Sequence, residues 1–165
     1  MSEQTVLSEG KVNVEGFFDP VTSTVTYLVS DPATGTGAII DPVLDYEARS
    51  GRTSTSSADK LIAHVKEKDL KIKWILETHV HADHVTALGA LRDKTNCVTV
   101  MGKESSVDVV SMRVEDGDKI EIDGLSLDVM HTPGHTDDSY SFYMPGMVFT
   151  GDTLFIRGTG RTDFQ

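Results

Sequence analysis

Residues 79–84 run His79-Val80-His81-Ala82-Asp83-His84, three imidazoles and a carboxylate within six residues. Neutral imidazole and carboxylate donors suit Zn, Fe, Mn or Co rather than Ca or Mg. In an extended loop, positions i and i+2 point the same way, so His79 and His81 are expected to grip one ion. Asp83 and His84, at the start of a following helix, would face back toward the same space. Two further segments carry donors. Thr132-Pro133-Gly134 makes a tight turn that aims His135 inward, while His131, just before it, reads as structural or outward-facing. Gly151-Asp152-Thr153 places a carboxylate beside a glycine that lets the backbone approach closely. Alone, Asp152 would read as a cap or turn aspartate; beside His79 and His135 it reads as a residue able to bind or bridge a metal.

These donors need a rigid frame, and the surrounding pattern supplies one. Strand-like runs occupy residues 12–17, 22–30 and 37–41, the last short and wholly apolar, as in a strand buried on both faces. Residues 45–57 are Ser/Thr-rich and read as a solvated surface loop, with a loop lying over a site as the functional alternative. Ser57 then caps a helix to about Asp69, with Leu61, Ile62 and Val65 at helical spacing and His64 as a structural or exposed histidine. A strand at 71–77 leads directly into the histidine cluster, followed by a helix over 83–92. Strands follow at 98–101, 119–122, 125–130, 139–144 and 147–150. Both histidine clusters and Asp152 thus fall just past strand ends. Cys97 reads as a small buried apolar residue.

The 165 residues carry 15 basic and 26 acidic side chains, a net charge of −11. That balance argues against nucleic acid or an anionic membrane as a partner, since Lys and Arg must supply the attraction. The single cysteine excludes a disulfide framework and any multi-cysteine zinc site. The N-terminus has neither the basic and apolar regions of a secretory signal nor the Arg-rich character of a mitochondrial transit peptide. A bacterial cytosol is the simplest compartment, or a mitochondrial matrix if a leader has been removed.

In their order and placement, T-H-x-H-x-D-H, H-T-P-G-H-T and G-D-T-L-F resemble the metallo-β-lactamase fold, an α/β four-layer αβ/βα sandwich with the metal between the sheet edges. Two branches compete: glyoxalase II-type thioester hydrolases and persulfide dioxygenases. The segment Ile156-Arg157-Gly158-Thr159-Gly160-Arg161-Thr162-Asp163-Phe164 resembles the dioxygenase branch, as do ETHVHADH and DPVLDYEARSGRTST, which look like members labelled β-lactamase hydrolase-like. The resemblance implies one Fe(II) per chain, held by His79, His135 and Asp152. It implies that His81, Asp83 and His84 form a supporting shell or, in the binuclear hydrolases, a second-metal site. Glutathione persulfide and O2 would be the substrates, sulfite and glutathione the products. The alternative is a hydroxyacylglutathione hydrolase with two Zn, Fe or Mn ions; a metal- or partner-binding module without catalysis is a third reading. Arg161 and Asp163 have two readings, a loop-holding bridge or an Arg that meets an anionic substrate group. A homodimer and a rhodanese-type partner or fused domain are compatible with the same resemblance. Complete members continue beyond Gln165, so residues 1–165 are expected to be a single domain lacking its C-terminal part, with the N-terminal half and the first strands of the second half present.

Overall fold

The structure, a computed structural model, describes the backbone of residues 4–8 and all of residues 12–163. Phe164 and Gln165, the end of the segment that carries the dioxygenase resemblance, lie outside the described residues. In chain order the elements are β1 (Gln4–Ser8), β2 (Asn13–Phe18), β3 (Val25–Asp31), β4 (Thr36–Ile40), β5 (Val43–Glu47) and β6 (Arg52–Ser54). They continue with α1 (Ser56–Glu67), β7 (Lys71–Leu76), β8 (Val85–Thr86), α2 (Leu88–Thr95), β9 (Val98–Gly102) and β10 (Met112–Val114). The last are β11 (Lys119–Ile122), β12 (Leu125–His131), β13 (Tyr140–Met144) and β14 (Met147–Phe149), before a single 3-10 turn at Gly151–Thr153.

A seven-stranded sheet has the order β1-β2-β3-β4-β7-β9-β10, antiparallel from β1 to β4 and parallel from β4 to β10. The helices α1 and α2 are the crossovers that parallel pairing requires. Residues of alternating parity in its central strands face opposite layers. Leu28, Ile39 and Ile75 pack with Leu61, Ile62 and Val65 of α1 and Leu88 and Leu91 of α2. Val29, Ala38, Ile40, Leu76 and Val100 pack on the other side against Ile120, Ile122, Leu127, Val129 and Phe142. The latter group belongs to a four-stranded antiparallel sheet, β11-β12-β13-β14. Burial on both faces explains why β4 reads as a continuous apolar run. The described residues thus build a helix layer, a sheet and a second sheet of the α/β sandwich, with two helices. None of those helices is long and apolar enough to cross a membrane.

Four expectations need correction. Residues 45–57 are not one loop: β5 and β6 pair as a hairpin, Tyr46 opposite Thr53, around a turn with Gly51 at φ +67°. The carboxylate of Glu47 accepts the turn N–H groups of Arg49 and Ser50, which closes that turn. Ser57 does not cap α1 but lies inside it, its N–H and hydroxyl both donating to Asp45. The second helix starts at Leu88, not Asp83, because Val85 and Thr86 pair with β5 instead. Strands β1 and β10 carry no clear alternation and were not expected.

Candidate metal centre

Sites in parallel sheets form outside the carboxyl ends of the strands. Here β4 leads into Asp41 and β7 into Glu77-Thr78-His79, side by side. Asp41 is held at φ +50°, and its carboxylate accepts the Thr78 N–H at 2.7 Å and the Thr78 hydroxyl at 2.8 Å. The second sheet is tied to the same point: Tyr140 N–H donates to Thr78 O at 2.7 Å, and Val80 N–H donates to the Asp138 carboxylate at 3.0 Å. Gly151, at φ +48°, packs so closely on Thr78 that a Cβ there would overlap its hydroxyl. Three loops from two sheets are therefore pinned together around one threonine.

His79, His135 and Asp152 come together, with donor atoms within 4.8 Å of one another. Hydrogen bonding sets the tautomers of both imidazoles. The Thr78 hydroxyl gives its proton to Asp41, so it accepts from His79 Nδ1 at 3.0 Å, which leaves the Nε2 lone pair free. That Nε2 is buried without a hydrogen-bond partner. Burial and the nearby His81 push the His79 pKa down to about 4, so the ring is neutral at pH 7. His135 Nδ1 donates to the backbone carbonyl of Arg161 at 2.8 Å, and its Nε2 faces Asp152 Oδ2 at 3.4 Å. Burial raises the Asp152 carboxyl above the ordinary range, and the charge of Asp83 adds to this. Two imidazoles converging on a half-buried carboxylate, one of them with a buried and unpartnered Nε2, are an arrangement that a cation satisfies.

The remaining donors of the first cluster do not share that point. His81 groups with Asp83 and His84, and also with Asp41 and Glu77. The expectation that His79 and His81 grip one ion with Asp83 and His84 is therefore replaced by two adjacent groups. His79 and His81 have ring centroids 4.0 Å apart. Nε2 of His81 lies 3.2 Å from both Asp41 Oδ1 and Glu77 Oε2, the latter outside hydrogen-bonding geometry. Burial opposes its charge, but the two carboxylates outweigh this and hold its pKa well above the usual value. Burial pushes the Glu77 carboxyl up to about 7. His84 is oriented from β3's approach: Thr22 donates to the Thr24 hydroxyl, which donates to Asp83 and lies 3.3 Å from His84 Nδ1. This again leaves a buried Nε2 without a partner.

Arg161 and Asp163 form an exposed bidentate pair, with both N–O distances 2.6 Å. Arg161 reaches the site through its carbonyl, not its guanidinium. His131 Nε2 bonds the Asp137 carbonyl, outside both groups, and His64 pairs with buried Glu15. Cys97 is buried, and burial raises its thiol pKa. Sequence reasoning missed Asp41, Glu77, Thr78, Thr24 and Asp138. The available signal was the position of Asp41, a carboxylate directly after a buried strand.

Comparison with known proteins gives a consistent assignment. The family model for the metallo-beta-lactamase superfamily matches residues 19–109 and 102–165. A beta-lactamase hydrolase-like protein of Agrobacterium fabrum is 40% identical over 92% of this chain and 40% of its own length. The mitochondrial persulfide dioxygenase ETHE1 of Homo sapiens is 37% identical over 90% of this chain and 55% of its own. The crystal structure of ETHE1 from Myxococcus xanthus superposes with a TM-score of 0.82 at 41% identity, covering 92% of this chain and 62% of that one. The chain thus spans between 40% and 62% of the length of these three proteins. With its two-sheet frame, its three donor loops and these matches, the chain belongs to the metallo-beta-lactamase superfamily.

Proposed function

We propose that the chain is the metal-bearing part of a persulfide dioxygenase, within a single metallo-β-lactamase-type domain, and that His79, His135 and Asp152 hold one Fe(II). The observation that carries this reading is the pair of imidazoles oriented by Thr78 and by the Arg161 carbonyl, with donor atoms within 4.8 Å of each other and of the Asp152 carboxylate. Two imidazoles and one carboxylate on one face suit non-heme Fe(II) with open positions. When bound there, iron supplies the redox chemistry and the coordination positions for O2 and a persulfide sulfur. The protein's part is to hold and orient. Thr78 and Arg161 keep both Nε2 atoms aimed, and the Asp41–Glu77–His81 group braces the loop from behind. The overall reaction joins glutathione persulfide, O2 and water to give glutathione, sulfite and two protons.

The names of the human and Myxococcus xanthus relatives support this reading. The test is O2 uptake and sulfite release by iron-loaded protein given glutathione persulfide. One iron per chain and oxygen uptake are expected; iron-loaded protein that consumes no oxygen would sink the reading. The second reading, a glyoxalase II-type hydrolase with two metal ions, is favoured by one observation, the buried and unpartnered Nε2 of His84. Two metals per chain and anaerobic turnover of S-lactoylglutathione would establish it.

A further inference from the structure

Two of the three proposed ligands are oriented by a bond to the ring itself, His79 by Thr78 and His135 by the Arg161 carbonyl. Asp152 differs. No hydrogen bond from a described residue reaches its carboxylate, which meets His135 Nε2 at 3.4 Å. The direction of this carboxylate is therefore set by the backbone that carries it. That backbone is the single 3-10 turn Gly151–Thr153, closed by a bond from Thr153 N–H to Thr150 O at 3.0 Å. Hydrogen bonds in such turns are poorly aligned, so one turn holds its own shape weakly.

Each residue of the turn is held from outside instead. Gly151 packs on Thr78, and the Asp152 carbonyl accepts the Gly160 N–H. Thr153 is held by its side chain. Its hydroxyl lies 3.2 Å from Thr132 O and 3.3 Å from the Thr132 hydroxyl, which in turn lies 2.9 Å from Ser141 Oγ. A carbonyl only accepts, so Thr153 gives its proton to Thr132 O. The Thr153 oxygen then accepts from the Thr132 hydroxyl, which accepts from buried Ser141 of β13. The protons all run one way, toward the Asp152 turn. Thr132 directly follows β12 and stands three residues before His135. The segment that carries Asp152 is thus bolted to the segment that carries His135.

We propose that Thr153 is a positioning residue of the metal centre: the bond from its hydroxyl to Thr132 O sets the direction of the Asp152 carboxylate relative to His135. The proposal rests on the ligand set His79, His135 and Asp152, and not on dioxygenase chemistry. Thr153 does not touch the ion; it acts through the backbone of Asp152. Its loss therefore weakens the one oxygen donor and spares the two imidazoles, which have supports of their own. Carboxylate oxygen suits Mn(II), whereas imidazole suits Zn(II). A residue that aims Asp152 must therefore shift the balance between these two metals, while a residue that merely holds the fold must not.

The test measures Zn(II) affinity by competition against a chromophoric chelator and Mn(II) affinity by titration followed by electron paramagnetic resonance. Thr153→Val keeps the shape of the side chain and removes the bond. Its Mn(II) affinity is expected to fall about tenfold or more, as for other lost outer supports of a metal site, and its Zn(II) affinity by a smaller factor. Thr153→Ser keeps the hydroxyl and should restore both. Thr132→Val removes the second hydroxyl but keeps the carbonyl, and should move the ratio the same way by less; it carries the test if Thr153→Val does not fold. Unchanged Mn(II) affinity, an equal fall for both metals, no recovery in Thr153→Ser, or wild-type protein that takes up Zn(II) but no Mn(II) would each overturn the proposal. Asp152→Ala separates it from the ligand set on which it rests. Loss of Mn(II) in Asp152→Ala but not in Thr153→Val keeps Asp152 as a ligand and removes the role of Thr153. Wild-type binding of both metals by Asp152→Ala removes the ligand set itself. Neither result depends on oxygen uptake.

Discussion

The geometry of the proposed ligands depends on atoms that are not ligands. Gly160 is the sharpest case. Its N–H donates to Asp152 O at 2.7 Å, and a Cβ on it would overlap that same oxygen and lie 2.8 Å from His135 Nδ1. Any side chain there must push apart two of the three proposed ligands, and must disturb the carbonyl of the next residue that orients His135. Loss of such outer support typically reduces metal affinity about 10–100-fold. Gly160→Ala is expected to fall in that range in competition against a chromophoric chelator, with the fold retained. Gly158→Ala is the control, because a Cβ there meets nothing within 4 Å. Equal metal affinity in the two variants would show that the Gly160 contact does not orient the ligands. His79, His81, Asp83 and His84 were legible as donors because they are adjacent in sequence. Their division into two groups was not. It is imposed by Asp41 and Glu77, and Asp41 acts from 40 residues away through His81 Nε2.

At the scale of elements, the sequence reading succeeded where a strand buried both faces, as in β4 and the Ile75–Leu76 end of β7, or a helix buried one, as in α1. It failed at residues 45–57 and 83–87, where short polar strands are held by partners rather than by their own apolar pattern. Asp83 resembled a helix-start carboxylate, yet pairing of Val85 and Thr86 with β5 prevails over the local signal. One residue links the hairpin to α1. Burial works against ionisation of Asp45, but the Ser57 hydroxyl and N–H more than compensate, and its pKa lies below the ordinary carboxylate range. These bonds satisfy a first-turn N–H that a capping residue would otherwise take. Asp45→Asn is expected to destabilise the protein by about 1 kcal/mol at pH 7, discounted from a buried pair because the group is partly exposed. A carboxylate with a depressed folded pKa stabilises above its unfolded value, about 3.9, and loses that contribution as pH falls through the folded value. The difference between wild type and variant in urea unfolding should therefore be full at pH 6–7 and shrink below about pH 4. A difference that stays constant down to pH 3 would mean that the charge of Asp45 is not what binds Ser57.

Across the whole molecule, the proposed ligands join two layers. His79 follows β7 of the seven-stranded sheet, while His135 and Asp152 follow β12 and β14 of the other. The sheets already share an apolar interface and the Tyr140–Thr78 and Val80–Asp138 hydrogen bonds. In the unfolded chain, the 55 residues between His79 and His135 make a preformed donor set improbable, so a bound ion stabilises the folded state almost exclusively. Linkage then fixes the size of the effect. Free metal at about 100 times Kd adds about 2.7 kcal/mol, and a domain of this size gains about 2–4 °C in Tm per kcal/mol. Adding Fe(II) anaerobically, or Zn(II) as a redox-inert substitute, should raise the Tm by about 5–10 °C, and the shift should grow with metal concentration. His135→Ala removes a donor that lies outside the β7 loop and should abolish most of the shift, each protein being compared with its own metal-free Tm. An equal shift in both proteins would place the ion at His81, Asp83 and His84 instead, within the reach of a single loop. That outcome would take away the reason for the two sheets to meet at Thr78.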